Sequence, residues 1–370
     1  MRNERFDRAV GWFEERSGKL AGLWIVLGLM VCAAIYVRPA IQTTALGVLY
    51  GRMTEDPFTV IDGNYVAFRV LTPLLSYLLG FRGQLIIVTN LLIAASFLFL
   101  VYIYFRNRSP RPGDALYAAA VMAFSLVTLT TVYYGGYTDS LTYLLVFLMW
   151  WLKDKPVAFY LLFMFGMLNR ECMLFLIPWF VFLRWECRKT LWLTLVEAIV
   201  GICLALVPYY LVRHWIGSHG EVPFRAMYYL KPLGNDPLHW LKQSYPYWGL
   251  GLFSTLKLFW AIPLLAGLAM WQAGERRQVI SMLLLLGCVF SQLIIAYDSS
   301  RMLTLAFPVV LMGLTYLFAT NAYDFRRWAG FLLLGNFLVP QLYTAASTIE
   351  TMHSLPGNIL SILFQGREVW

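Results

Sequence analysis

The feature that most constrains this chain is a repeated alternation: long apolar runs, most of bilayer length, separated by short segments rich in Lys and Arg. A helix needs about 17–25 predominantly apolar residues to cross the hydrocarbon core. Runs of that kind occupy Leu20–Val37, Gly83–Phe105, Ala115–Tyr134, Thr190–Val212, Gly251–Trp271, Val279–Ala296, Met302–Ala319 and Ala329–Tyr343. Three shorter runs, Ser140–Leu152, Val157–Leu168 and Cys172–Leu183, lie between them. Helices that short reach across only where the bilayer thins or where their ends sit in a polar cavity. The expectation is an all-α polytopic membrane protein, one integral domain over 1–370 with about eleven transmembrane helices. Composition agrees. The chain is 60% hydrophobic and 13% charged, whereas a soluble domain carries about 45–50% apolar and about 25% charged residues. That excludes disorder, a collagen-like chain and a soluble globular enzyme, because too little polar surface is left to meet water on all sides.

Orientation follows from Lys and Arg, which accumulate in short cytoplasmic loops. With the N-terminus inside, the inner segments are 1–19, the turns near Arg106–Arg111, Lys153–Lys155 and Arg184–Lys189, and the pairs Arg276-Arg277 and Arg326-Arg327. Together they hold 17 of the 29 basic residues. The same bookkeeping sends two long loops, 38–82 and 213–250, and three short turns to the outer side. The turns are Tyr134–Ser140, Asn169-Arg170-Glu171 and Tyr297–Arg301, and all four histidines fall outside as well. Acidic, basic and amide residues therefore converge on one face from five separate places. The inner charges read as anchors, the outer ones as a site.

The first outer loop carries the adjacent acids Glu55 and Asp56, then Asp62, then Arg69 and Pro73. Paired carboxylates suit general-base work or metal ligation, while Asp-Pro and Asp-Gly are also ordinary turn dipeptides. Residues 66–80 are apolar but too short to cross, and read as a helix in the outer interface. Asp139 follows a Tyr-Gly-Gly-Tyr-Thr turn and opens a short helix, where a capping role competes with a functional one. Asn169, Arg170 and Glu171 sit between two short apolar runs, a costly place for charge unless it is wetted or paired. Asp298 and Arg301 are three apart, share a helix face and can pair. In the second outer loop, Arg225 and Lys231 lie among interleaved aromatics. That composition suits an interfacial helix at headgroup level, or a groove for a sugar and a lipid phosphate.

The histidine spacing matches no zinc motif, and no nucleotide-binding, serine-hydrolase or zinc-protease motif is found. No metal site and no cofactor are expected, with a divalent ion left open. The five cysteines, at 32, 172, 187, 203 and 288, form no CxxC and no disulfide framework. The net charge of +9 is explained by inner loops rather than by nucleic acid, which is not an expected partner. No cleavable signal peptide is expected, since Leu20–Val37 lacks a small-residue cleavage site and is long enough to span.

With many helices, an acidic pair in the first outer loop, amphipathic outer segments and an outward site, the chain resembles the GT-C superfamily of membrane glycosyltransferases. The resemblance covers the layout of the chain and is local only at Glu55-Asp56. It implies a GT-C-like fold, a polyprenyl-phosphate sugar donor, membrane lipids as surroundings, and an acid of the first loop (Asp56, Glu55 or Asp62) as the base. Substrate contacts are then expected from Arg69, Asp139, Asn169, Arg170, Glu171, Asp298, Arg301, Arg225 and Lys231. Three other classes remain: a transporter or flippase using the same intramembrane charges, a lipid-linked polysaccharide polymerase or ligase, and a purely structural membrane subunit. The one Asn-x-Ser sequon, Asn107-Arg-Ser109, falls in an inner loop, which favours a bacterial inner membrane with a cytoplasmic N-terminus and a periplasmic C-terminus.

Overall fold

The computed structural model describes residues 2–44, 46–58, 65–188, 190–218, 239–294, 298–345, 348–355 and 358–359. Within them the chain is almost wholly helical. Helix α1 (Arg2–Ser17) is bent by 118° against α2 (Ala21–Tyr36). Two short outer helices follow, α3 (Leu46–Met53) and α4 (Leu71–Leu78), and then the long α5 (Ile86–Arg106). Helix α6 (Pro112–Ala123) and α7 (Leu126–Tyr133) meet at a 50° bend. Next come α8 (Asp139–Trp151), α9 (Pro156–Asn169), α10 (Ile177–Arg188) and α11 (Leu191–Ser218). The C-terminal half holds α12 (His239–Ser244), α13 (Trp248–Leu256), α14 (Ala261–Gln272) and α15 (Arg276–Gln292). It continues with α16 (Ser299–Thr304), α17 (Phe307–Thr320) and α18 (Phe325–Leu338). An antiparallel hairpin, β1 (Leu342–Ala345) with β2 (Thr348–Thr351), pairs Leu342 with Thr351 and Ala345 with Thr348.

Four helical stretches are long and apolar enough to cross a membrane: Gly83–Arg106, Leu191–Ile216, Leu241–Gln272 and Ser299–Thr320. The number rises to six if each bent pair counts as one span. The protein is therefore an integral membrane protein with four to six such helices among the described residues, against about eleven expected. The shortfall has a physical source. The three short runs do form helices, but α8 and α9 have only 13 and 14 residues, about 20 Å of rise against a core of about 30 Å. The stretch 66–80 forms a 3-10 turn and the eight-residue α4, about 12 Å long and unable to cross.

Two expected spans change form. The run Ala329–Tyr343 does not stay helical. Pro340 disfavours helical backbone at Val339, which is extended (φ −76°, ψ 124°), and the chain then enters β1. The run Gly251–Trp271 is broken at Lys257, whose φ is +49°. Proline helps elsewhere by opening helices at α6, α9 and α17, where its missing N–H costs nothing.

The main core is an apolar cluster drawing on residues from Val26 to Ala329, with two smaller clusters beside it, one around Tyr50 and Phe68 and one around Leu126 and Tyr343. Helix α5 packs on α6 and α8, α8 on α9, α9 on α11, and α14 on α17. Helix α3 presses against the Gly135-Gly136 turn. A Cβ at Gly47 would meet Gly135 O at 2.0 Å, so only glycine permits this approach. The contact, with Thr44 N–H bound to Gly135 O at 3.1 Å, brings Tyr50 of α3 to the place where α8 begins.

Candidate functional site

The charges expected on the outer face gather around two carboxylates, each held between two arginines. Asp139, the first residue of α8, is 2% exposed. It pairs with Arg170 and, at 3.0 Å, with Arg301 Nε. Glu171 pairs with Arg69 Nε at 3.2 Å and Arg213 at 3.4 Å. The local backbone explains how neighbours reach different partners. Arg170 is extended (φ −156°, ψ 133°) between α9 and the 3-10 helix Glu171–Leu176. Successive side chains of extended backbone point to opposite sides, so Arg170 turns to Asp139 and Glu171 to Arg69.

Asp298 caps α16 by accepting from Arg301 N–H at 3.3 Å, and it also accepts from Arg301 Nη1 at 3.2 Å. The Tyr343 hydroxyl of β1 donates to Asp298 as well. The Arg301 guanidinium lies 4.6 Å from the Tyr137 ring centre, and that of Arg213 4.1 Å from the Phe68 ring. Arg69 donates to the Tyr50 hydroxyl at 3.1 Å. Burial works to raise the Tyr50 phenol, yet the guanidinium groups of Arg69 and Arg170 hold it below the usual tyrosine value. Four guanidinium groups thus face three carboxylates, an excess of one positive charge among these seven residues.

The hydrogen bonding is incomplete where burial is deepest. Asp139 meets both arginines as ion pairs, and Arg301 Nε lies 3.0 Å from its Oδ2 without the alignment of a hydrogen bond, whereas the Nε donor of Arg170 is unmatched. Arg170 is 5% exposed and Arg301 6%. Buried donors of this kind are costly unless something accepts from them. In chemical terms the cluster offers directed N–H groups and net positive potential, the requirements of a phosphate.

The structure brings together Arg69, Asp139, Asn169, Arg170, Glu171, Asp298 and Arg301 of the expected residues. Asn169 has a different task from the expected substrate contact. Its amide accepts from Thr72 at 2.7 Å and donates to Thr138 O at 3.1 Å and to Thr142 at 2.8 Å. It pins α4, α8 and α9 together, leaving little capacity for a ligand. Glu55 and Asp56 are exposed, and Asp56 accepts from the N–H of Phe58 at 3.2 Å, the turn geometry of an Asp two residues upstream. Asp62, Arg225 and Lys231 lie outside the described residues. The cluster is packed, and its partly open members are Glu171, Arg213 and Asp298.

Three members escaped sequence reasoning as site residues. Arg213 opens the stretch expected as the second long loop, but it lies within a 28-residue helix that runs on to Ser218; an arginine on a helix that long has a defined height. Tyr50 and Tyr343 carry no sequence signal among 22 tyrosines. Among the described residues no group of three or more His, Cys, Asp or Glu is placed to hold a metal ion. Compared with known proteins, the chain matches no family model, and no curated protein or solved structure shows significant similarity.

Proposed function

We propose that this protein is a membrane glycosyltransferase that moves a sugar from a polyprenyl-phosphate donor to an acceptor on the outer, periplasmic face of a bacterial inner membrane. The observation that supports the reading is the buried cluster around Asp139 and Glu171, in which four arginines face three carboxylates and Arg170 Nε keeps an unmatched donor. In such a transfer the bond from the anomeric carbon to the phosphate oxygen breaks, and the lipid phosphate leaves with a second negative charge. The acceptor hydroxyl forms the new bond and gives its proton to a carboxylate. Preorganised guanidinium groups at the leaving oxygen stabilise the charge that develops there. Asp56, Glu55 and Asp62 of the first loop are the candidate bases. The proposed topology, about eleven crossings of a GT-C-like layout with the N-terminus cytoplasmic, rests on apolar runs and the Lys/Arg bias.

A second reading, a transporter, draws on one observation: the span Leu241–Gln272 is broken at a buried lysine, and discontinuous helices mark binding sites in many transporters.

The test uses the full chain in lipid vesicles, with polyprenyl phosphate as the binding probe and a panel of radiolabelled polyprenyl-phosphate sugars as donors. Arg301→Ala is expected to weaken polyprenyl-phosphate binding by at least about tenfold, the loss of one charged hydrogen bond. Asp56→Asn or Asp62→Asn is expected to lower turnover more than binding. Full binding by Arg301→Ala together with no wild-type transfer from any donor ends the glycosyltransferase reading.

A further inference from the structure

Lys257 interrupts a membrane span with a charge-bearing side chain that lies outside the arginine cluster. It joins α13 to the 3-10 turn Lys257–Trp260 with φ 49° and ψ −119°. A residue with a side chain adopts that backbone only at a cost, and such outliers collect at functional positions. The residue is 2% exposed. Its Nζ donates to the Tyr36 hydroxyl at 2.9 Å and to the Val339 carbonyl at 3.1 Å. The Tyr36 hydroxyl itself donates to Val339 O at 2.8 Å, so it meets the lysine as an acceptor. Both partners are uncharged, and among the described residues Lys257 forms no ion pair.

The count of donors and acceptors decides which protonation state fits. A neutral amine has two N–H donors, and two acceptors are present. An ammonium has three donors and a full charge; here it would bring one unmatched N–H and an unpaired charge into apolar surroundings. The neighbouring elements supply no counter-charge among the described residues, and the only favourable face for an ammonium there is the Tyr36 ring, 5.0 Å from Nζ. Helices α13 and α14 contain no Asp, Glu, Lys, Arg or His. In α18 the charged residues, Arg326 and Arg327, sit at the opposite end, and Arg326 binds Asp114. Helix α2 offers only Tyr36 and the exposed Cys32. Past α2 the chain continues to the exposed Arg38, whose N–H binds His353 O.

We propose that Lys257 is a proton-binding site within the membrane, a neutral amine at rest whose free lone pair takes up a proton at the break in the span. This goes beyond the glycosyl-transfer reading and does not depend on it. The carbonyl it holds, Val339 O, lies three residues before β1. That strand carries Tyr343, which binds Asp298 of the arginine cluster. Protonation therefore loads the segment that places Tyr343.

The experiment uses the full chain in nanodiscs with 15N-labelled lysine, Lys257→Met serving to assign the Nζ signal. The expected spectrum shows a neutral-amine signal at neutral pH that shifts to the ammonium range on acidification. Thermal stability is read in parallel. An amine that is neutral when folded and charged when unfolded makes the unfolded state bind more protons, so stability rises with pH. Wild type is expected to lose stability as pH falls, and Lys257→Met to lose much of that slope while remaining folded. Lys257→Arg, which cannot shed its proton, is expected to lose the fold. An ammonium signal at neutral pH overturns the proposal, as does a stable Lys257→Arg beside an unstable Lys257→Met. Should Lys257→Met fail to fold, Lys257→Gln supplies the assignment and the wild-type spectrum still decides.

Discussion

Two aspartates in the first turns of their helices meet opposite fates in this protein. Asp114, in the first turn of α6, is matched atom for atom. Its Oδ1 accepts from Arg326 Nε at 3.1 Å, its Oδ2 from Arg326 Nη2 at 2.9 Å, and the Ser109 hydroxyl adds a further donor. One carboxylate meets one guanidinium in a bidentate pair, and α6 is thereby tied to α18. Asp139, in the first turn of α8, is shared between two arginines, one oxygen to each, and the Nε donor of Arg170 is left unmatched. Both residues are buried, so burial alone does not separate them. What separates them is stoichiometry. A closed pair has nothing left to offer and acts as an anchor, whereas an open cluster with surplus donors retains capacity for an anion.

Removing one arginine from the open cluster should break the contrast most visibly. Arg170→Ala leaves Asp139 paired with Arg301, so the fold is expected to survive. Loss of one preorganised donor at a developing charge costs about 10²–10³ in rate, and transfer from a polyprenyl-phosphate sugar is expected to fall by that much. If Arg170→Ala instead unfolds the protein and spares transfer in whatever folds, the cluster is an anchor like Asp114 and the distinction collapses.

The converse change is Asp114→Asn, which leaves the Arg326 guanidinium without its counter-charge. Breaking a buried pair by removing one partner costs about 3 kcal/mol. Thermal denaturation in detergent is expected to show that loss, while the donor affinity of the folded fraction stays at the wild-type value. A changed donor affinity would mean that the inner pair is coupled to the site.

A third variant calibrates the scale. The pair between Glu14 and Arg106, at 3.0 Å, includes an arginine 38% exposed. Pairs this open contribute less than about 1 kcal/mol, so Glu14→Gln is expected to shift the denaturation midpoint only slightly and to leave transfer untouched. A loss as large as that of Asp114→Asn would show that openness is a poor guide to anchoring in this fold.

Much of the site was legible in the chain because membrane topology is nearly one-dimensional. The Lys/Arg reading expected Asp139, Arg170, Glu171, Asp298 and Arg301 on one face, and the structure brings these residues together. Arg69 follows in the same way from a segment too short to cross. Which acid meets which arginine was not legible. That depends on the extended backbone at Arg170 and on the cap at Asp298, each a matter of one or two dihedral angles. The pairing weighed against function at Asp298 is present, since it binds Arg301 and also caps α16, whereas the cap weighed at Asp139 is not formed: Thr138 stands at the N-cap with no side-chain hydrogen bond.

The sequence by itself determined the class of molecule: the apolar runs and scarce charge commit this chain to lipid, and lipid commits its backbone to helices because no water is present to bond exposed N–H and C=O groups. It determined as well that the outer charges must find one another, since each is costly alone. Only the tertiary structure decided that Asn169 is consumed in packing, that Arg213 reaches back to Glu171, that the last apolar run ends in a hairpin delivering Tyr343 to Asp298, and that Lys257 breaks a span that hydropathy reads as continuous. These are contacts between segments distant along the chain. Apolar periodicity records which residues leave water, and not which partners they meet when they do.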